Sequence, residues 1–235
     1  MKKIVMLLLL LPVLSLAQNR KKKDYVVTLT TDYGPMRVVL YDQTPKHKEN
    51  FIKLVNQKFY DSLLFHRIIE KFMIQGGDPN SRRAAADESL GNGDVGYKIP
   101  AEIVPTLFHK KGALAAARDN NPEKASSGCQ FYVVQGRVWT DDELQKQIDR
   151  SRSRAPERVF TDEQKQVYKT LGGTPHLDGN YTVFGEVIDG LAVVDSVARQ
   201  PRSPQDRPLK DLRMTMTGEW VKKKKITKQY GYKYL

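Results

Sequence analysis

Apolar and polar residues alternate along most of this chain, interrupted by a few stretches of helical period. Tyr25 to Asp32 and Pro35 to Tyr41 alternate Val, Leu, Thr and Tyr around an Asp32-Tyr33-Gly34 turn, which predicts two antiparallel strands. Thr44-Pro45 opens a helix, because threonine caps well and proline is favoured at the first helical position; Phe51, Leu54, Val55 and Phe59 continue its apolar face. Leu63 to Ile69 and Phe72 to Gln75 return to strand character, and the polar, glycine-rich Asp78 to Gly96 reads as loop. Short strands follow at Gly112 to Ala117, Cys129 to Val134 and Val183 to Ile188, then a short helix at Gly190 to Ala198 and a last strand over Leu209 to Trp220. This pattern predicts a mainly β fold, a closed antiparallel barrel of about eight strands capped by two helices.

Residues 137–173 break the pattern. Thr140-Asp141-Asp142-Glu143 and Thr161-Asp162-Glu163-Gln164 are both capping boxes, the first opening a charged helix to about Arg154. Val167, Tyr168 and Leu171 follow the second, and Gly172-Gly173 closes it. A helical hairpin inserted between two strands is expected, read as a surface elaboration. Beyond Trp220 a lysine run from Lys222 to Lys225 leads into a tyrosine-rich end.

Composition adds a compartment. In the 235-residue chain Lys2 and Lys3 precede an apolar run from Ile4 to Leu11, with small residues at Ser15 and Ala17, the pattern of a cleaved signal peptide. That run is shorter than the ~20 residues that span a bilayer. The expected organisation is a signal peptide over 1–17, a basic linker over 18–24, one domain over 25–220 and a basic tail over 221–235, in a periplasmic or secreted protein. The net charge of +12 falls by two once Lys2 and Lys3 are gone. Charge alone would fit nucleic acid, but export argues against that partner. The lysine run reads first as solvated tail, and second as a contact for an anionic envelope surface. Cys129 is the single cysteine, so no internal disulfide exists; alternation with Gln130 turns it toward the core. His47, His66, His109 and His176 show no metal-ligand spacing, and no cofactor is expected. Gly91-x-Gly93-x-x-Gly96 matches a dinucleotide fingerprint in letters but lacks the strand before it and the helix after it.

The chemistry centres on Phe65-His66-Arg67-Ile68-Ile69 and Phe72-Met73-Ile74-Gln75-Gly76-Gly77-Asp78. A guanidinium keeps its charge, so Arg67 on a half-buried strand must face a polar ligand or a partner. Beside it, Phe72 and Met73 offer an apolar floor and Gln75 a hydrogen-bonding edge, which suits a neutral, proline-sized ligand.

These two segments resemble the signature of cyclophilin-type peptidyl-prolyl isomerases. Further matches follow in family order: Gly91 to Glu102, Gly112 to Arg118, Ser127-Gly128-Cys129-Gln130-Phe131-Tyr132-Val133, and His176-Leu177-Asp178-Gly179-Asn180-Tyr181-Thr182-Val183-Phe184-Gly185. The resemblance spans Tyr25 to Trp220 and implies a cyclophilin-like barrel, with 137–173 extending a usually short connection. It implies catalysis by Arg67, Phe72 and Gln75. It implies substrate contacts from Met73, Ala117, Arg118, Gln130, Tyr132, His176, Leu177 and Tyr181. The implied substrates are proline-containing unfolded or partly folded polypeptides. Three positions depart from the better-known pattern. His176 stands where many members have the tryptophan that favours cyclosporin, so weak cyclosporin binding is expected. Tyr181 stands for histidine and Tyr132 for phenylalanine, which bears on substrate preference and efficiency. The alternative reading is a catalytically weak chaperone module that holds proline-containing segments.

Overall fold

The computed structural model describes residues 22–234. The leader expected over 1–17 and most of the linker lie outside the described residues. Strands β1 (Lys23–Thr31) and β2 (Gly34–Leu40) form the first hairpin, followed by helix α1 (Pro45–Asn56) and strands β3 (Phe65–Ile69) and β4 (Met73–Gly76). Next come β5 (Lys98–Ile99), β6 (Ala113–Ala116), β7 (Ser126–Ser127) and β8 (Phe131–Val134). Helices α2 (Asp141–Arg152) and α3 (Asp162–Thr170) precede β9 (Val183–Asp189), α4 (Leu191–Ala198), β10 (Thr215–Lys222) and α5 (Lys223–Tyr230).

Eight strands make one antiparallel sheet in the order β10-β1-β2-β9-β6-β8-β4-β3, and β5 pairs with β7 apart from it. The expected closed barrel is therefore corrected to an open half-barrel whose edges are β10 and β3. Residues 209–214, expected as strand, do not join the ladder. The chain doubles back at Ser203 to Arg207 with Asp206 at positive φ, and Asp61 Oδ1 accepts the Met216 amide at 3.1 Å. A short seam joins residues 62–65 to 212–214: Ser62 N donates to Met214 O at 2.9 Å, Met214 N to Leu63 O at 2.9 Å and Phe65 N to Leu212 O at 2.8 Å, around the Leu64–Arg213 bridge.

The central strands of the sheet bury two different faces. The inner face, with α1 and α4, packs Val27, Leu29, Phe51, Tyr60, Phe65, Ile68, Ile74, Leu114, Phe131 and Val133 into the main core. Cys129 lies there, as its alternation predicts, and burial pushes its thiol up to about 11. The outer face carries a second cluster of Met73, Ala113, Ala115, Tyr132, Val134, Leu177 and Val183. Period-2 alternation accounts for both.

Two local expectations change. Thr44 does not cap α1 through its side chain; Glu102 does so from a distant loop, accepting the Lys46 and His47 amides at 3.1 and 3.0 Å. The tail is not merely solvated: α5 buries Ile226 against Val26 and Val39, with Tyr230, Tyr232 and Tyr234 packed around it. Two apolar residues, Ile226 and Tyr230, in an eight-residue basic helix left little periodicity to read. Helices α2 and α3 form with both expected capping boxes. Leu144 and Ile148 of α2, Tyr168 of α3 and Phe160 from the connection between them bury one another in a cluster of their own.

Candidate active site

Arg67 reaches the outer face through a break in the ladder. Phe65 opposes Gly76 and Arg67 opposes Gln75, so the register shifts by one residue across His66. Without that bulge Phe65 and Arg67, two apart, would share a face. With it, Phe65 enters the inner core while Arg67 joins a row across the sheet: Arg67, Gln75, Tyr132, Ala115, Val183.

The row is held by a chain of amides. Arg67 Nη1 donates to Gln75 Oε1 at 3.4 Å, and Gln75 Nε2 donates to Gln130 Oε1 at 3.3 Å. Gln130 Nε2 is fixed by the carbonyls of Gly91 and Gly93 at 2.9 and 2.8 Å. On its other side Arg67 Nε lies 3.6 Å from Asp206, which Arg202 also holds at 3.0 Å. The guanidinium is thus oriented between Gln75 and Asp206 and remains 42% exposed.

Beside it opens a cleft of about 190 Å³ lined by Arg67, Phe72, Met73, Gln75, Ala117, Arg118, Tyr132, Leu177 and Tyr181. That is below the ~300 Å³ of drug-sized sites and suits one small ring. A groove of about 360 Å³ adjoins it, sharing Gln75, Ala117 and Arg118 and adding Gln130, Ser127 and the Gly91–Gly93 strip. Every residue lining the cleft was among those named from the sequence. Gln130 lies in the groove instead, and His176 lines neither, its ring packing 5.6 Å from Phe72. Burial lowers the His176 ring to about 4, so near neutrality it supports Phe72 as an uncharged plate. Arg118 is committed as well: its guanidinium lies 4.7 Å over the Tyr181 ring and Nε donates to Asn180 O at 2.9 Å. The Ala117 amide is already donated to Gln130 O at 3.0 Å, so a peptide pairing with this segment must use a neighbouring group.

Sequence reasoning missed Asp206 and Arg202, which act on Arg67 from a loop more than a hundred residues away. It also missed the groups behind Tyr132. Tyr132 Oη lies 3.0 Å from His109 Nε2, and His109 Nδ1 lies 2.7 Å from Asp178 Oδ1. Tyr168 of α3 donates to Asp178 Oδ2 at 2.6 Å. Asp178 sits in a motif quoted above, but nothing local marks its partners. Among the described residues no group of three or more His, Cys, Asp and Glu could hold a metal ion.

The bulge residue His66 has a consequence for stability. It is 4% exposed, both ring nitrogens lack partners, and burial lowers it to about 4. An unfolded histidine takes up a proton below about 6.5, which the native ring resists until about 4, so stability falls with falling pH across that window. The loss is expected to be on the order of 3 kcal/mol at the acid end. Urea unfolding followed between pH 7 and pH 4 checks it. Burial holds His176 near 4 as well and adds a slope of the same sign, so His66→Phe should make the curve shallower without flattening it; an unchanged slope would refute the assignment.

Residues 26–219 match the family model described as cyclophilin type peptidyl-prolyl cis-trans isomerase/CLD. The chain is a cyclophilin-type peptidyl-prolyl cis-trans isomerase. A putative peptidyl-prolyl cis-trans isomerase of Staphylococcus aureus is 33% identical to this cyclophilin over 187 residues, covering 79% of this chain and 87% of the relative. A putative bifunctional phosphatase/peptidyl-prolyl cis-trans isomerase of Streptococcus pyogenes is 34% identical over 189 residues; the chain spans 37% of that relative's length. Among solved structures, a cyclophilin-type isomerase of Cryptosporidium parvum has the same fold at TM-score 0.61 and 23% identity, covering 84% of this chain and 98% of that one. The same cyclophilin solved in the presence of the dipeptide Ala-Pro gives TM-score 0.59.

Proposed function

We propose that this cyclophilin accelerates X-Pro bond rotation in exported proteins as they fold, with Arg67 stabilising the twisted amide over an apolar proline pocket. The observation that carries this reading is a guanidinium held by Gln75 at the rim of a cleft sized for one ring. Rotation about the amide crosses about 18–20 kcal/mol because resonance is lost, and no nucleophile, metal or base is required. A catalyst need only bind the twisted form better than either planar form. Phe72, Met73, Tyr132 and Leu177 hold the ring, while Arg67 donates to the carbonyl oxygen or toward the proline nitrogen as it gains a lone pair. Gln75 orients Arg67, and Gln130 meets the residues before proline in the adjoining groove. The Cryptosporidium parvum relative prepared with Ala-Pro supports the ligand class.

The proposed organisation is a leader over 1–17, a cyclophilin domain over 25–220 with residues 137–173 as an insertion, and a periplasmic or secreted mature protein. Cyclosporin is expected to inhibit weakly, because His176 stands at the tryptophan position and is turned against Phe72.

Exchange NMR on a short X-Pro peptide tests the function. Acceleration by the mature chain is expected; peptide binding without acceleration would replace the enzyme reading with a proline-segment holdase. Catalysis should also be flat from about pH 6 to about pH 9. Arginine stays charged, burial holds His176 near 4, and burial with the neighbouring Tyr181 and Asp178 keeps Tyr132 well above its ordinary value. A bell-shaped profile inside that range would point to a general acid or base instead.

A further inference from the structure

Tyr132 poses a physical problem. The cleft wall made by Phe72, Met73 and Leu177 is apolar, yet Tyr132 brings a hydroxyl to it while only 5% exposed. A buried hydroxyl without a partner is costly, and one turned into the cleft would keep a water where a proline ring must sit. The structure gives this hydroxyl a partner on the side away from the cleft. His109, 1% exposed, places Nε2 at 3.0 Å from Tyr132 Oη, with the two rings nearly parallel at 12°. The other ring nitrogen lies 2.7 Å from Asp178 Oδ1, and the same oxygen accepts the His109 amide at 2.9 Å.

The direction of these bonds follows from the inventory of donors. An ionised carboxylate only accepts, so His109 Nδ1 carries the hydrogen; with the ring neutral, the state this inference requires, Nε2 is left as an acceptor. The Tyr132 hydroxyl then donates to it, and its proton points out of the cleft. Asp178 is fixed in turn by residues between β8 and β9. Tyr168 donates to Oδ2 at 2.6 Å, the Arg158 guanidinium stands 3.5 Å from it, and Ser151 donates to the Asp178 carbonyl at 2.7 Å.

We propose that His109 is a positioning residue of the proline pocket: with Asp178 it draws the Tyr132 hydroxyl away from the socket, so that tyrosine presents a hydrocarbon face, and it couples that face to helices α2 and α3. This rests on the proline pocket proposed above. Residues 137–173 are, on this account, structural support for ring recognition. They set the shape of the socket without touching the substrate.

The test is a double-mutant cycle in the mature full-length chain. His109→Asn keeps a donor near the Nδ1 position for Asp178 and has nothing that reaches Tyr132. In the wild-type background it should lower kcat/KM for an X-Pro peptide about tenfold, through KM with kcat nearly unchanged, because planar and twisted forms carry the same ring. In a Tyr132→Phe background, whatever that variant's own activity, the same change should cost less than about threefold. Equal losses in both backgrounds, or a loss confined to kcat, would overturn the proposal. A second readout needs neither turnover nor the His109 variant. Imidazole ¹⁵N spectra should show His109 protonated at Nδ1, with an Nε2 signal that shifts in Tyr132→Phe. A hydrogen on Nε2 in the wild type, or an unmoved signal, would also overturn it. If the wild type binds an Ala-Pro peptide without turning it over, the enzyme reading fails by itself. The cycle is then read in Kd, with the same two outcomes.

Discussion

Arg67→Ala is expected to lower kcat/KM for X-Pro exchange by about a hundredfold or more while leaving the fold intact. One preorganised donor aimed at charge that develops only in the transition state is worth about 10²–10³ in rate. Here the donor is preorganised on both sides, by Gln75 at 3.4 Å and Asp206 at 3.6 Å, so little ordering remains at the moment of rotation. The fold should tolerate the change, because the side chain is 42% exposed and its ion pair with Asp206 lies at the surface, where such pairs contribute about 0–1 kcal/mol. Arg67→Lys keeps the charge but loses the planar fork that Gln75 and a rotating amide can share, and an intermediate rate is expected. Exchange NMR with circular dichroism on both variants is the measurement. Activity of Arg67→Ala within threefold of wild type would remove Arg67 from the mechanism.

Asp178→Ala should show the largest loss of stability. Its carboxylate is 1% exposed and is met by His109, Tyr168 and the Arg158 guanidinium, itself 5% exposed. Removing one member of a buried ion pair leaves the other charged and unpaired, a cost of about 3–5 kcal/mol. For a domain of this size that corresponds to a melting temperature lower by about 10 °C. Tyr168→Phe removes a single hydrogen bond to the same carboxylate, and a smaller loss of about 1.5–3 kcal/mol is expected. Thermal and urea unfolding of the two variants rank them; equal stability of Asp178→Ala and wild type would show that the bonds Arg158 already makes to the Pro105 and Val159 carbonyls and to Gln164 suffice without the carboxylate. Deleting residues 137–173 removes Ser151, Arg158 and Tyr168 together and should damage the proposed proline pocket as well. The sequence pattern made this segment a surface elaboration, since its charged helices carry few apolar residues. That pattern does not show that Arg158 turns inward, donating to Pro105 O and standing against Asp178.

Much of the site was legible because it is built from strand alternation and short motifs. Gln75 and Met73 alternate with Ile74 on β4, and Tyr132 and Val134 with Phe131 and Val133 on β8, so outward and inward residues could be told apart by period alone. Arg67 could not be placed that way, because the bulge at His66 reverses the phase of β3. His176 was assigned to the substrate by its place in a motif, whereas packing turned it against Phe72. The tail read as solvated because Ile226 is its sole buried residue in α5, and its contacts, Val26 and Val39, lie at the other end of the chain.

The division follows from the range of the forces involved. Hydrophobic period, capping boxes and turn residues act between neighbours a few positions apart, so the chain alone specified most strands and the helices α1 to α4, and its short motifs named the residues that line the cleft. The cap from Glu102 on α1, the His109–Asp178 pair behind Tyr132 and the orientation of Arg67 by Asp206 join residues 55, 69 and 139 positions apart. Such partners leave no periodic trace. They become neighbours only when burial of the two sheet faces brings them together and each buried polar group must find a partner there.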